Sequence, residues 1–236
     1  MASNPLAYGR SGRPPVRQQL SDKAAGYVRG LIMSGELKPG AGVRPETVGE
    51  ALGISATPAR EALQALRVEG FLIVVPRVGF VVAPLTGQDI RDLFHAQALI
   101  AGELAARAAQ DATAGDLAEL DALHHELIAA AARANEALLE EKNHAFHRHI
   151  NLMAGTPKMV WVLGLLARYV PRRFYSEIPG WPQATVDDHG KIVEGIRARD
   201  PGLARAAMHD HITHSGELLA ANFDQRIASA EIAPKS

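Results

Sequence analysis

The 236-residue sequence contains no cysteine. That excludes disulfides, thiolate nucleophiles and sulfur-ligated metal, and it fits a reducing compartment. No apolar run approaches the ~20 residues needed to span a bilayer. The opening stretch MASNPLAYGRSGRPPVRQQ lacks the apolar segment of a secretory signal and reads as a polar arm. No membrane role and a cytoplasmic location are expected. An excess of either charge is missing too: the formal net charge is -1. The average conceals an asymmetry. Residues 1–80 carry ten Lys/Arg against six Asp/Glu, and the remainder fifteen against twenty. A basic front and an acidic back point to a nucleic-acid partner for the first part. With 47% hydrophobic residues, the chain has enough apolar side chain to bury a core.

Breakers and periodicity divide the chain. Ala24, Val28, Leu31 and Ile32 give residues 20–34 a helical period, which GELKPG ends. A short helix is expected at about Thr47–Leu52, closed by Gly53, and a second at 56–69, with Ser55 as its cap and Gly70 past its end. FLIVVPRVGFVVAP is rich in β-branched residues and broken by PRVG, so it predicts two strands around a turn. Beyond Pro84 strand signals are almost absent. Helix starts are expected near Thr86, Thr113, Asn135, Thr156, Gln183 and Asp200, the first two with a capping-box pattern. The fold class is therefore mainly α: a winged helix–turn–helix with a small β-hairpin, then an all-α antiparallel bundle of about six helices. The expected domains are an arm (1–17), the winged helix–turn–helix (18–84), the helical domain (86–224) and a tail (225–236).

A short helix, a Gly-centred turn and a second helix can set the second helix in a major groove. Its first turn carries Ser55, Ala56, Thr57 and Arg60. The hydroxyls of Ser55 and Thr57 and the helix N-terminus suit phosphate oxygens, and Arg60 can reach a guanine or a phosphate. Arg77 to Gly79 at the hairpin tip can follow the minor groove or the backbone. The bland alternative is a packing unit with no DNA. Residues 27–82 resemble the winged helix of the GntR family of transcription regulators, through G-x-L-x-P-G, LG-x-S-x-TP-x-REAL-x-x-L-x-x-EG and P-x-x-G-x-x-V. The resemblance implies binding to double-stranded operator DNA as a homodimer. Two positions depart from the family pattern: Ala56 stands where a base-reading arginine is usual, and Glu46 where a basic residue is usual. An arginine bidentate to guanine is worth about 1–3 kcal/mol of discrimination. The operator is therefore expected to be atypical, or Arg44 and the arm compensate.

The stretch EEKNHAFHRHINLMAG holds three histidines in six residues. At 100° per residue, His147 borders the apolar arc of Leu139, Phe146, Ile150 and Met153, with Asn143 one turn before it. His144 lies further round and His149 faces away. His189 shares a face with Val186, Val193 and Ile196, and His211 with Ala204, Ala207, Met208 and Leu218. His209 does not point inward and His214 is borderline. Three inward histidines on three helices can meet at a metal ion, or can be three separate core histidines bonded to carbonyls.

Residues 86–222 resemble the FadR-type C-terminal ligand-binding domain (FCD) of GntR regulators. The matching pieces are N-x-x-FH-x-x-I (143–150), DH-x-x-I with Gly195 in place of alanine, ARDP (198–201) and AAMHDHI (206–212). The resemblance implies a divalent metal held by Asn143, His147, His189 and His211. Mostly imidazole ligands favour zinc or nickel, with manganese or iron as alternatives. Asn143 replaces the usual aspartate. Gln97 occupies the position of an arginine that receives an effector carboxylate, and Ala101 that of its glutamate. An uncharged ligand set favours an anionic effector, a small organic acid, bound directly over the metal. Arg172 and Arg173 offer a second anion contact, or are a solvated basic patch.

The expected function is a DNA-binding transcription regulator, a repressor, controlled by that effector, with no catalytic residue. The alternatives are a metal-dependent enzyme and a regulator whose metal is purely structural. The carboxylates Glu140, Glu141, Asp187 and Asp188 read as lying largely off the inward faces, which leaves an enzyme without a general base.

Overall fold

The computed structural model describes residues 16–170 and 178–232, with side chains to 227. The chain forms two compact units. Of the described residues, one holds those up to Pro84, save Met33–Glu36; the other holds those four and those from Leu85.

The first unit contains α1 (Val16–Met33), β1 (Gly42–Val43), α2 (Pro45–Leu52), α3 (Ala56–Val68), β2 (Leu72–Val75) and β3 (Gly79–Val82). Pro45 opens α2 at a position where a missing N–H costs nothing. Gly53 closes it in the left-handed conformation, φ 66°. A Cβ on Gly49 would stand 2.7 Å from the carbonyl oxygen of Ile54, so the turn tolerates no side chain there. α3 buries Pro58, Ala59, Ala62, Leu63 and Leu66 on one face and leaves the other to solvent. The expected hairpin is the larger part of a three-stranded antiparallel sheet, ordered β1-β3-β2. Gly42 pairs with Val81 and Val43 with Phe80. A two-residue strand is too short to show alternation, so the sequence pattern missed it.

Six helices make up the described part of the second unit: α4 (Gly87–Asp111), α5 (Ala114–Ala132), α6 (Glu136–Met153), α7 (Pro157–Ala167), α8 (Trp181–Arg197) and α9 (Pro201–Ile232). Thr86 with Asp89 and Thr113 with Asp116 close reciprocal capping boxes, each threonine accepting from the aspartate N–H and each aspartate from the threonine N–H. α8 begins before Gln183: Trp181 lies within the helix and is buried. α9 continues to Ile232, into the stretch that reads as a tail. Ala101, Ala105 and Ala108 of α4 meet Phe146, Ile150, Ile192, Val193 and Met208 in one core. Small residues bring helices close: at Gly195 a Cβ would lie 2.7 Å from the backbone nitrogen of Ala204. That packing is the local reason this position holds glycine rather than alanine.

Candidate nucleic-acid interface and metal centre

On the first unit the apolar face of α3 fixes where its polar face points. Ser55, Thr57 and Arg60 are all exposed. Ser55 is the N-cap, but its side chain makes no capping hydrogen bond. The expected cap is thus one of position only, and the hydroxyl remains on the surface. The Arg60 guanidinium pairs with Glu46 of α2 at 3.4 Å, with both side chains about 60% exposed, at 60% and 59%. Such a pair contributes about 0–1 kcal/mol to stability and yields readily to a competing anion. Arg44, the N-cap residue of α2, is exposed, as are Arg77 and Gly79 at the β2–β3 turn. Both turn residues have positive φ, 66° and 100°. The strand pairing carries that turn as a projecting wing.

In the second unit the three inward-reading histidines come together, one each from α6, α8 and α9. The Nε2 atom of His211 lies 3.3 Å from Nε2 of His189 and 3.3 Å from Nε2 of His147. One nitrogen of each ring falls within 4.8 Å of the others. His189 and His211 are buried, and Phe146 lies flat on His189 with centroids 4.1 Å apart. Burial, then the neighbouring imidazoles led by His211, pushes His147 and His189 well below the ordinary histidine range. Both rings are therefore neutral near pH 7 and offer lone pairs.

The donor chemistry fits a divalent ion. Three Nε2 atoms face one another, and three neutral imidazoles cannot all satisfy each other at that point. Nδ1 of His189, Nδ1 of His211 and Oδ1 of Asn143 are buried without a hydrogen-bond partner. Tetrahedral ligands at the ~2.0–2.1 Å of zinc–imidazole bonds stand about 3.3–3.4 Å apart, which matches two sides of the triad. Asn143 sits one turn before His147 on α6, and its side-chain oxygen is buried without a partner.

His144 is exposed. His149 bonds through Nε2 to the carbonyl of Asp116, away from the triad. Gln97 is buried on α4, one turn before the core residue Ala101. Arg172 and Arg173 lie outside the described residues. One residue near the triad was misread. Asp188 is not off the inward face: its side chain is 13% exposed, and Oδ2 stands 3.7 Å from Nδ1 of His211. Asp188 and His211 are on different helices, so no single helical period links them; the DH dipeptide was the available signal.

A winged helix–turn–helix and a helical bundle holding a buried imidazole triad define a DNA-binding transcription regulator. The comparisons with known proteins agree. The family model "Bacterial regulatory proteins, gntR family" matches residues 20–82, and the "FCD domain" model matches 92–214. The chain belongs to the GntR family, in its FCD-containing branch. It is 27% identical over 206 residues to the HTH-type transcriptional repressor GlaR of Escherichia coli K12, covering 79% of this chain and 89% of that one. A Streptomyces ambofaciens HTH-type regulator in an unstable DNA locus is 28% identical over 194 residues, 78% of each chain. In fold, the solved structure of E. coli McbR/YncC superposes with a TM-score of 0.65 at 22% identity, covering 86% of this chain and 98% of that one. The family, and the two curated relatives by name, are transcription regulators rather than enzymes.

Proposed function

We propose that the protein is a homodimeric, cytoplasmic repressor whose operator binding responds to a small organic acid held at the triad. Residues 18–84 bind DNA, with Ser55, Thr57 and Arg60 at the groove and Arg44, Arg77 and Gly79 on the backbone or minor groove. Two copies are needed because one short helix gives little affinity and two-fold proteins read two-fold sites. Residues 86–224 form the control domain. The repressor GlaR among the relatives supports the same sense of regulation.

The observation that carries the reading is the meeting of three imidazole nitrogens, with an orphaned Asn143 oxygen one helical turn before His147 as support. Asn143, His147, His189 and His211 would hold a divalent ion, zinc or nickel by the preference of imidazole donors, with manganese or iron less suited. That ion would supply a positive centre, uncompensated by any ligand charge, for a carboxylate oxygen of the effector. Gln97, and Arg172 and Arg173, are the further effector contacts in this reading. Footprinting the protein on its own upstream region, then screening organic acids for release, tests it. Unchanged metal content and acid affinity in both Asn143→Ala and His147→Ala would overturn it.

A further inference from the structure

We propose that Asp188 is the positioning residue of the triad, fixing His211 with its N–H outward and its Nε2 lone pair toward His147 and His189. The inference rests on reading the triad as a metal site. A neutral imidazole carries one N–H, and an acceptor beside one nitrogen decides where that proton sits. Asp188 Oδ2 lies 3.7 Å from Nδ1 of His211. That is longer than a hydrogen bond and within the reach of a small ring rotation. Nδ1 of His211 has no hydrogen-bond partner, so the carboxylate is the acceptor it faces.

The carboxylate is itself held in place. Lys191 Nζ donates to Oδ1 at 2.9 Å, and Nδ1 of His214 stands 3.1 Å from Oδ2. An acid clamped on both oxygens and largely shielded from water cannot swing away from His211. The buried partner ring is positioned differently: His189 is pinned by the flat stack on Phe146. One ligand is thus set by packing and another by charge. The charge acts along the α8–α9 contact, and Asp188 sits beside His189 in sequence. A single dipeptide would therefore both supply one ligand and orient the next.

The test uses the full chain, stripped with a chelator and titrated with Zn(II) or Co(II) against a chromophoric competitor. Wild type, Asp188→Asn, Asp188→Glu and His211→Ala are compared. Asp188→Asn keeps shape and removes charge, so metal affinity should fall about 10–100-fold, and Asp188→Glu should recover part of the loss. The Co(II) absorption band should shift in Asp188→Asn while the melting temperature of the metal-free protein stays at the wild-type value. A merely structural aspartate would move that melting temperature and leave the band alone. Wild-type affinity in Asp188→Asn, with binding lost in His211→Ala, overturns the proposal and leaves the metal site standing. Absence of binding by the wild type overturns both. Where Asp188→Asn does not fold, the double variant Lys191→Gln, His214→Gln makes the same test by unclamping the carboxylate, and unchanged affinity there overturns the proposal.

Discussion

At Asn143, which is neutral, and Glu46, which is negative, the charge of one side chain bears on what each proposed site would bind. With asparagine at 143, the proposed ligand set carries no formal charge, and an anion is drawn to whatever cation the site holds. Asn143→Asp adds one negative charge at an oxygen that now lacks any partner. Metal affinity should rise and affinity for an organic acid should fall, since a carboxylate cancels part of the local charge. Calorimetric titration of metal, then of acid, checks both signs; equal or tighter acid binding would sink the anion argument. On α3, Arg60 is tied to Glu46 only by an exposed contact. Arg60→Ala should therefore cost DNA binding rather than folding: about 1–3 kcal/mol of operator discrimination if it reads a base. Binding isotherms on operator and on scrambled DNA at several salt concentrations separate the cases. A uniform loss on both DNAs would assign Arg60 to a phosphate instead. At this scale the sequence was informative where helical spacing applied, and it picked His147 over His144 and His149. It misplaced Asp188, whose reach to His211 crosses between helices and follows no single helical period.

Among the elements, local signals predicted starts better than extents. The capping boxes at Thr86 and Thr113 form as the pattern requires, because their partners lie three residues away. β1 was invisible, since its existence depends on β3 some forty residues on. The start of α8 was placed late because Trp181 and Pro182 look like loop residues when burial is unknown. Gly195 shows how tertiary packing overrides local preference. Alanine is the better helix former by about 0.8–1.0 kcal/mol. Its methyl group would lie 2.7 Å from the Ala204 nitrogen at the α8–α9 turn, a contact with backbone that cannot swing aside. Overpacking of that kind typically costs about 1–3 kcal/mol. The clash is the larger effect, so Gly195→Ala should lower the melting temperature. A rise in thermal scans of the metal-free protein would mean that α9 shifts freely against α8.

For the molecule as a whole, the two units have separate cores and separate ligand chemistry. The α3 face is set by Ala59, Ala62, Leu63 and Leu66 within the first unit. The triad is set by helices of the second. In the proposed reading, coupling between them is a difference in how strongly each ligand favours one arrangement of a dimer, and linkage makes it reciprocal. Stripping the metal should accordingly leave operator binding in place and abolish its response to the acid. Mobility shifts with chelator-treated and reloaded protein, each with and without acid, give four conditions. The predicted pattern is retention in three of them and release only for reloaded protein with acid. A purely structural metal predicts another: stripped protein would lose the operator whether or not acid is present. An operator site pre-bound by the dimer should also weaken acid binding by the same factor that the acid weakens operator binding. Titrating acid into free and operator-bound protein measures that factor from the second side, and unequal factors would show that the acid acts at some site other than the one whose release is being read.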